Sequence, residues 1–274
     1  MSAYFKISKI KREPYFTMDS SHYHKDYEIY FLLNGTRRFF VEDSIYNIKG
    51  GDIVILPKGV LHRTAYLNSS SHERYNMVFS GEYFADLTTE FGESIFEDTF
   101  AKHPVVSVPQ SRLAHITEMF ERLYVEYTNA DCYSSLNIKN YVQSIIIFLI
   151  RCISFRMDIS APGLDPSDCL MQEAARYISA NYNRELTLAG VAATVNMSPT
   201  YFSKKFKTAT GFGFKEYLVN IRLKNASHLL LESNMSVTEI ATRCGFNDSN
   251  YFGDVFKRAK GMSPLMYRKN NVFI

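Results

Sequence analysis

Residues 236–268 read SVTEIATRCGFNDSNYFGDVFKRAKGMSPLMYR, and this stretch decides how the C-terminal part of the chain folds. Ser236 and Glu239 have the spacing of a capping box, which opens a helix. Gly245 stands where a helix ends in a left-handed residue. The helix after this turn carries two aromatic residues four positions apart, and the pattern predicts that they are buried together: Phe252 and Phe256.

The same pattern occurs about fifty residues earlier in the chain. Residues 201–217 and 251–267 share seven identities in seventeen aligned positions, where chance gives about one. Further upstream the offset falls to 49, which puts one extra residue in the second connection. The repeat therefore predicts two copies of one helix–turn–helix unit, at about 187–209 and 236–260.

The first copy forms its turn with different residues. Asn196 occupies the place of Gly245, and Asn is the next best residue for a left-handed backbone. Ser198 and Pro199 then supply an N-cap and a first-turn proline. Between the copies, residues 214–231 have the spacing of an amphipathic helix, which would hold the two units a fixed distance apart.

Two helices joined by a short turn are the geometry that places a second helix in the major groove of DNA. An ordinary helical hairpin would also bury aromatic residues, but this half of the chain is basic. Residues 161–274 carry 14 Lys and Arg against 9 Asp and Glu, whereas residues 1–160 carry 17 against 19. A basic domain attracts phosphate backbones. The polar residues of the second helices are therefore candidate DNA contacts: Ser198, Thr200, Ser203, Lys204, Lys207, Ser249, Asn250, Asp254 and Lys257.

Residues 186–211 and 236–268 resemble the AraC/XylS family of bacterial transcription regulators. The string EIA…GF…YF…FK…G…P…YR in the second block carries most of the resemblance, which covers the C-terminal domain, residues 161–274. It implies an all-α domain of seven helices with two helix–turn–helix units. It also implies binding of double-stranded promoter DNA, action as an activator together with RNA polymerase, and an N-terminal cupin-like domain that senses a small molecule.

The second copy departs from the family's pattern. Asp254 occupies a position where the family often has a basic residue, and a carboxylate repels phosphate, although it can accept from the amino group of cytosine. Gly253 beside it offers no side chain. We therefore expect the first copy to read more bases, through Thr200, Ser203 and Lys204. Both copies bind phosphates, the first through Lys207 and the second through Lys257.

The N-terminal half contains a cluster of potential ligands in the stretch HYHKDYEIYFLLNG, residues 22–35. His22, His24 and Glu28 share parity, so on one strand they project from one face. His62 follows a second predicted strand, Asp52–Leu56, and a turn. Imidazole and carboxylate groups bind zinc, iron, manganese or nickel, and these four residues form a candidate divalent-metal site.

The spacing of these residues, with G-x5-P-x-G-x2-H from Gly51 to His62, resembles the two motifs of cupins, which are double-sheet β-barrels. Phe16 and Tyr66 replace the first Gly and the last Asn of those motifs. Sensor domains of the resembled family carry similar residues without an assured metal. Three interpretations stay open: a metal site, structural histidines, or a metal-free effector pocket, for a small molecule such as a sugar, formed by Glu28, Tyr30, Arg37 and His62.

Two helices are predicted between the halves, at 112–127 and 136–154. The second is apolar around more than one face, and a run of exposed apolar surface needs a partner. In the resembled family these helices form the dimer contact. We therefore expect a homodimer and divide the chain into a cupin-like domain at 1–105, a helical segment at 106–160 and the DNA-binding domain.

The composition fits an α+β protein of several domains. The chain has 274 residues, of which 46% are hydrophobic and 15% aromatic, which excludes global disorder. The four cysteines have no CxxC spacing, so neither a zinc knuckle nor a disulfide framework is indicated, and a cytoplasmic location is favoured. The apolar run at 145–150 is too short to span a membrane.

A ligand-responsive transcription regulator, and not an enzyme, is the function that these patterns favour. The first alternative is a cupin metalloenzyme with a helical appendage, which would need a complete ligand set and an acid–base residue. The second is a constitutive DNA-binding protein whose barrel only holds a dimer together.

Overall fold

The computed structural model describes residues 3–13, 26–67, 71–92, 99–154 and 164–271. The chain forms two compact units, Met1–Leu164 and Asp165–Ile274. The helical segment expected as a separate part at 106–160 belongs to the first unit, because its helices share one hydrophobic core with the strands.

In the described part of the first unit, eight strands form two antiparallel sheets. The larger sheet has the order β1-β7-β2-β5-β8 and the smaller has the order β4-β3-β6. The strand Asp52–Leu56 forms where the sequence predicts it. The strands are β1 (Phe5–Arg12), β2 (Tyr27–Asn34), β3 (Thr36–Val41), β4 (Ser44–Lys49), β5 (Asp52–Leu56), β6 (His62–Tyr66), β7 (His72–Phe79) and β8 (Val105–Ser107).

Alternation along the strands gives the larger sheet two different faces. On β2, Ile29 and Phe31 point into a core that includes the helices, whereas Tyr30 and Leu32 belong to a separate cluster between the two sheets. Successive side chains of a strand project to opposite faces, which produces this division. Glu28 shares the parity of Tyr30, so it lies on the face between the sheets.

The α-helices whose bounds are fully described in this unit follow the strands or lie between them. A short 3₁₀ helix, Gly81–Phe84, leads into the first, and the second and third cover the outer face of the larger sheet. The second begins two residues before its predicted start and ends one residue after its predicted end. They are α1 (Ala85–Phe91), α2 (Gln110–Thr128) and α3 (Ser134–Ser154).

The apolar surface of α3 is largely used within the unit. Val142, Ile145 and Leu149 are fully buried against the sheet and α2. By length and composition alone α3 could cross a membrane, but its packing is that of a core helix in a folded domain. The sheet therefore supplies the second surface for most of the apolar side chains of α3, and a homodimer stays a prediction.

The described part of the second unit consists of seven helices, as the resemblance implies. A 19-residue helix links the two helix–turn–helix copies and ends one residue beyond the predicted range. The helices are α4 (Pro166–Ala180), α5 (Leu188–Thr194), α6 (Pro199–Thr210), α7 (Phe214–Glu232), α8 (Val237–Arg243), α9 (Ser249–Lys260) and α10 (Pro264–Asn271).

The two copies form their turns in the same way. Asn196 has a φ of 55° and Gly245 a φ of 84°, so both predicted left-handed residues are confirmed. In each turn the next amide reaches back to the helix, from Met197 to the carbonyl of Ala192 and from Phe246 to the carbonyl of Ala241. This is the bond pattern of a Schellman motif. The buried aromatic pairs are confirmed as well: Phe202 with Phe206 and Phe252 with Phe256.

Arg222 of α7 packs against the turn of the second copy and stabilises it. Its guanidinium donates to the carbonyl oxygens of Tyr182 and Arg184 and lies 5.7 Å from the centre of the Phe246 ring. A side chain at Gly245 would meet this assembly, since an added Cβ lies 2.9 Å from the Tyr182 carbonyl oxygen.

We expect Gly245→Ala to destabilise the second unit by about 2–4 kcal/mol, because it adds strain at positive φ to a backbone clash. Gly253→Ala is the matched control: its Cβ meets nothing within 4 Å and it lies inside α9. The control should leave stability unchanged or raise it by up to about 1 kcal/mol. Chemical unfolding followed by circular dichroism measures both, and equal effects of the two substitutions would contradict the role of the turn.

Candidate effector pocket and DNA-binding surface

The exposed face of α6 carries most of the candidate DNA contacts of the first copy. Thr200, Lys204 and Lys207 are exposed, and Ser203 is partly exposed, opposite the buried pair Phe202 and Phe206. The hydroxyl of Ser198 has a local role, because it accepts from the amide of Tyr201 and caps the helix. These positions suit α6 to a groove of DNA, and base or phosphate contacts for them stay predictions.

The second copy presents the equivalent face of α9. Ser249, Asn250, Asp254 and Lys257 are all exposed. Asp248 caps this helix by accepting from the amides of Asn250 and Tyr251. The last turn adds further basic residues to the predicted Lys257: Arg258 and Lys260.

Two exposed aromatic residues on these helices were missed by the sequence analysis. Tyr201 and Tyr251 are each 51% exposed and occupy the same position in the two copies. The repeat contained this signal, since both residues are among its identities, but neither was predicted as a DNA contact. A tyrosine next to a DNA backbone can donate its hydroxyl to a phosphate oxygen.

Between the two sheets of the first unit, the structure brings together residues that are far apart in sequence. The Nε2 atom of His62 lies 3.3 Å from Oε2 of Glu28, and both residues are buried. Burial alone would lower the pKa of His62, but its hydrogen bond to Glu28 and the charge of that carboxylate outweigh burial and raise the pKa. The pair is therefore stabilised as imidazolium and carboxylate.

Tyr30 and Arg37, the other two predicted pocket residues, lie at the same place. The guanidinium of Arg37 donates to the Thr64 hydroxyl at 3.1 Å and lies close enough to Tyr30 for the two groups to interact electrostatically. Burial raises the pKa of Tyr30 to about 12, so its hydroxyl stays protonated. All four residues predicted for an effector pocket thus face the space between the sheets.

A cavity of about 490 Å³ opens over the β1–β7 half of this face. Strand pairing builds its wall, because Ser8 is opposite Asn76, which is in turn opposite Tyr30. The sequence analysis predicted none of the residues that line this cavity, because it predicted neither β1 nor β7. The lining residues are Tyr4, Lys6, Ser8, Ile10, Asp26, Arg74, Asn76 and Val78.

The potential in this region is positive, as a neighbouring histidine shows. His72 is 2% exposed and begins β7. Burial and then the charges of Arg37, Arg74 and Arg12 lower the pKa of His72 to about 4. A neutral imidazole is therefore retained at physiological pH among three guanidinium groups.

The candidate metal site is only partly described. Glu28 and His62 are paired, whereas His22 and His24 lie outside the described residues. Among the residues that are described, no group of three His, Cys, Asp or Glu side chains is arranged to hold a metal ion. A divalent metal at these residues stays a prediction.

A contact on the outer face of the sheet connects the pocket strands to helix α2. Nζ of Lys9 lies 2.9 Å from Oε2 of Glu121, and the hydroxyl of Tyr75 donates to the same carboxylate. Lys9 and Tyr75 are sequence neighbours of the cavity residues Ser8 and Arg74, but project from the opposite face. A displacement of these strands would therefore also move the Lys9 and Tyr75 side chains that contact α2.

Comparison with known proteins agrees with this arrangement. Residues 9–146 match the AraC-like ligand binding domain, and residues 191–270 match a helix-turn-helix domain. The chain is 24% identical over 251 residues to the HTH-type transcriptional activator RhaR of Enterobacter sp. (strain 638), covering 91% of this chain and 86% of that protein. It is 23% identical over 244 residues to the Msm operon regulatory protein of Streptococcus mutans, covering 89% and 84%.

Among solved structures, the chain is similar to the C-terminal domain of AraT, a response regulator from Geobacillus stearothermophilus. The identity is 35% and the TM-score 0.38, over 41% of this chain and 92% of that one. The double-sheet domain followed by tandem helix–turn–helix units defines a transcription regulator with an N-terminal ligand-binding domain and a C-terminal DNA-binding domain. The chain belongs to the AraC family.

The depressed pKa of His72 predicts acid sensitivity. The unfolded chain has a histidine pKa near 6.5, so stability from neutral His72 is complete above that value and is lost as pH falls toward 4. The expected loss is roughly 3 kcal/mol, at about 1.4 kcal/mol per pKa unit. The raised pKa of His62 has the opposite effect on stability: its contribution is complete below pH 6.5 and is lost only as pH rises above that value. The pH ranges of the two histidines therefore do not overlap.

Urea unfolding of the wild-type chain and His72→Gln between pH 7 and pH 4.5 measures this effect. The variant should lose less stability over this range than the wild type. Parallel pH dependences of the two proteins would show that His72 is not held neutral.

Proposed function

We propose that a small molecule bound between the two sheets changes how the two helix–turn–helix units engage promoter DNA. The observation that carries this proposal is the buried polar set Glu28, His62, Tyr30 and Arg37 in a domain of the ligand-binding class. A cavity lies beside this set, since Asn76 of its wall pairs with Tyr30. An effector alters DNA binding only if it binds two states of the protein differently. The Lys9–Tyr75–Glu121 contact is a route from the pocket strands to α2.

On the DNA side, we propose that α6 and α9 enter successive major grooves. Faces one helical turn apart along DNA are separated by about 34 Å, or about 10 base pairs. The first copy reads bases with Thr200, Ser203 and Lys204, and Lys207 and Lys257 bind phosphates, while Asp254 weakens base readout by the second. Tyr201 and Tyr251 add backbone contacts.

We further propose that the protein acts in the cytoplasm as a homodimeric activator that works with RNA polymerase and has no enzymatic activity. Its relatives include a protein named as a transcriptional activator. A dimer surface is available at the tip of the α2–α3 hairpin, where three apolar side chains are exposed: Val125, Tyr133 and Leu136. Such a patch on a helical hairpin is typical of a protein contact.

A cupin metalloenzyme remains the competing function. It would need His22 and His24 to join Glu28 and His62 around a metal ion. Metal analysis of protein purified without chelator, repeated on His24→Ala, distinguishes the two functions. A stoichiometric metal that the substitution removes would favour the enzyme.

We expect Lys204→Ala to weaken binding to the promoter operator about tenfold or more. The fold should stay intact, because the Lys204 side chain is exposed and the bond from the Thr208 hydroxyl goes to its backbone carbonyl, which the substitution keeps. Lys102→Ala, an exposed lysine of the first unit, is the matched control for the loss of one charge. Fluorescence anisotropy over a range of salt concentrations gives both affinity and salt slope. If Lys204→Ala behaved like the control, this contact would be rejected.

A further inference from the structure

The cavity over β1 and β7 has more positively than negatively charged side chains in its described wall. Lys6 and Arg74 line it on β1 and β7, and Asp26 is the acidic residue in its described wall. The neighbouring carboxylate of Glu28 lies on the same face of the sheet but is engaged by His62 at 3.3 Å. The wall therefore presents more positively charged than negatively charged side chains to a bound ligand.

Arg74 is the residue best placed to use that charge. Its guanidinium lies over the ring of Tyr30, 4.9 Å from the ring centre, which fixes its direction. Its Nη1 is buried and finds no hydrogen-bond partner within the described residues, and the same holds for Oδ1 of Asn76 opposite Ser8. A buried donor of this kind is costly unless a ligand satisfies it.

The surroundings of Arg74 strengthen the positive potential. Arg37 is 2% exposed and lies close enough to Arg74 for the two charges to repel, and both act on His72 together with Arg12. Guanidinium groups gathered in a buried site favour a bound counter-ion. An arginine also binds a carboxylate or phosphate through two parallel hydrogen bonds, which a neutral sugar cannot form.

We propose that the effector is a small hydroxylated acid, with its carboxylate or phosphate group bound by Arg74 and Lys6 and its hydroxyl groups by Ser8, Asn76 and Tyr30. This inference rests on the proposed function of the cavity as the effector site. It replaces the neutral sugar of the sequence analysis with an anionic compound of similar size, such as a sugar acid or a sugar phosphate.

The test compares four probes on the full-length protein: galacturonate, galactose, glucose 6-phosphate and inorganic phosphate. The variants are Arg74→Gln and, as matched control, Arg112→Gln, an exposed arginine on α2. The readouts are the unfolding temperature and the pKa of His72, measured by NMR. Galacturonate tests binding of a carboxylate, and galactose is its neutral counterpart. Glucose 6-phosphate tests binding of a phosphate group on a sugar, and inorganic phosphate tests the same group without any sugar.

We expect at least one anionic probe to stabilise the wild type and Arg112→Gln and to raise the pKa of His72. Its affinity should fall about tenfold or more in Arg74→Gln, and galactose should bind about tenfold more weakly than galacturonate. The inference is overturned if galactose binds as well as galacturonate. It is also overturned if no anion binds, or if Arg74→Gln and Arg112→Gln respond alike.

Operator affinity separates this inference from the proposed function. An anion that binds through Arg74 but leaves operator affinity unchanged would support the anion site at Arg74 and contradict its role in controlling DNA binding. A neutral compound that changes operator affinity would support the control and overturn the inference.

Discussion

One backbone constraint determines the DNA-binding surface: the residue after the first helix of each copy must adopt a positive φ. Asn196 and Gly245 satisfy it, and the amides that follow them close the same helix-ending bonds. With the turn fixed, the second helix packs its phenylalanine pair inward. The polar residues on the opposite side, including Lys204 and Asp254, are then exposed by the same geometry that buries the pair.

The first unit depends on a different constraint, the alternation of side chains along β2 and β7. One face of the larger sheet is apolar and is covered by α2 and α3, and the other holds the polar set around Glu28 and Arg37. Because successive side chains of a strand project to opposite faces, neighbouring residues of β7 belong to the two different faces. The ligand contact proposed for Arg74 and the helix contact of Tyr75 therefore involve adjacent residues of one strand, and we propose that this adjacency couples ligand binding to α2.

The sequence predicted the second unit well because its determinants are local. The cap, the left-handed residue and the phenylalanine pair each act over only three or four residues of chain, and each occurs in both copies of the repeat. In the first unit, parity and motif spacing were sufficient to select Glu28, Tyr30, Arg37 and His62, which the structure brings together. Arg74 and Asn76 were missed because their place depends on the pairing of β7 with β1, more than 60 residues away.

The dimer argument shows the limit of helical periodicity. The sequence of α3 indicates an apolar helix, but it does not say whether a second chain or the chain's own sheet covers that surface. Here the sheet does, through Val142, Ile145 and Leu149. The dimer proposal now depends on the exposed tip of the hairpin instead, which the periodicity of α3 did not indicate.

The central claim, that two unequal helix–turn–helix copies read DNA together, is tested most directly by selecting bound sequences from a random duplex library at near-physiological salt. We expect an enriched site with two blocks about 10 base pairs apart, the stronger belonging to the first copy. That assignment would follow from the loss of the stronger block in a selection with Lys204→Ala. A single enriched block would contradict joint base reading by both copies, and no enrichment in the absence or presence of galacturonate would contradict sequence-specific recognition.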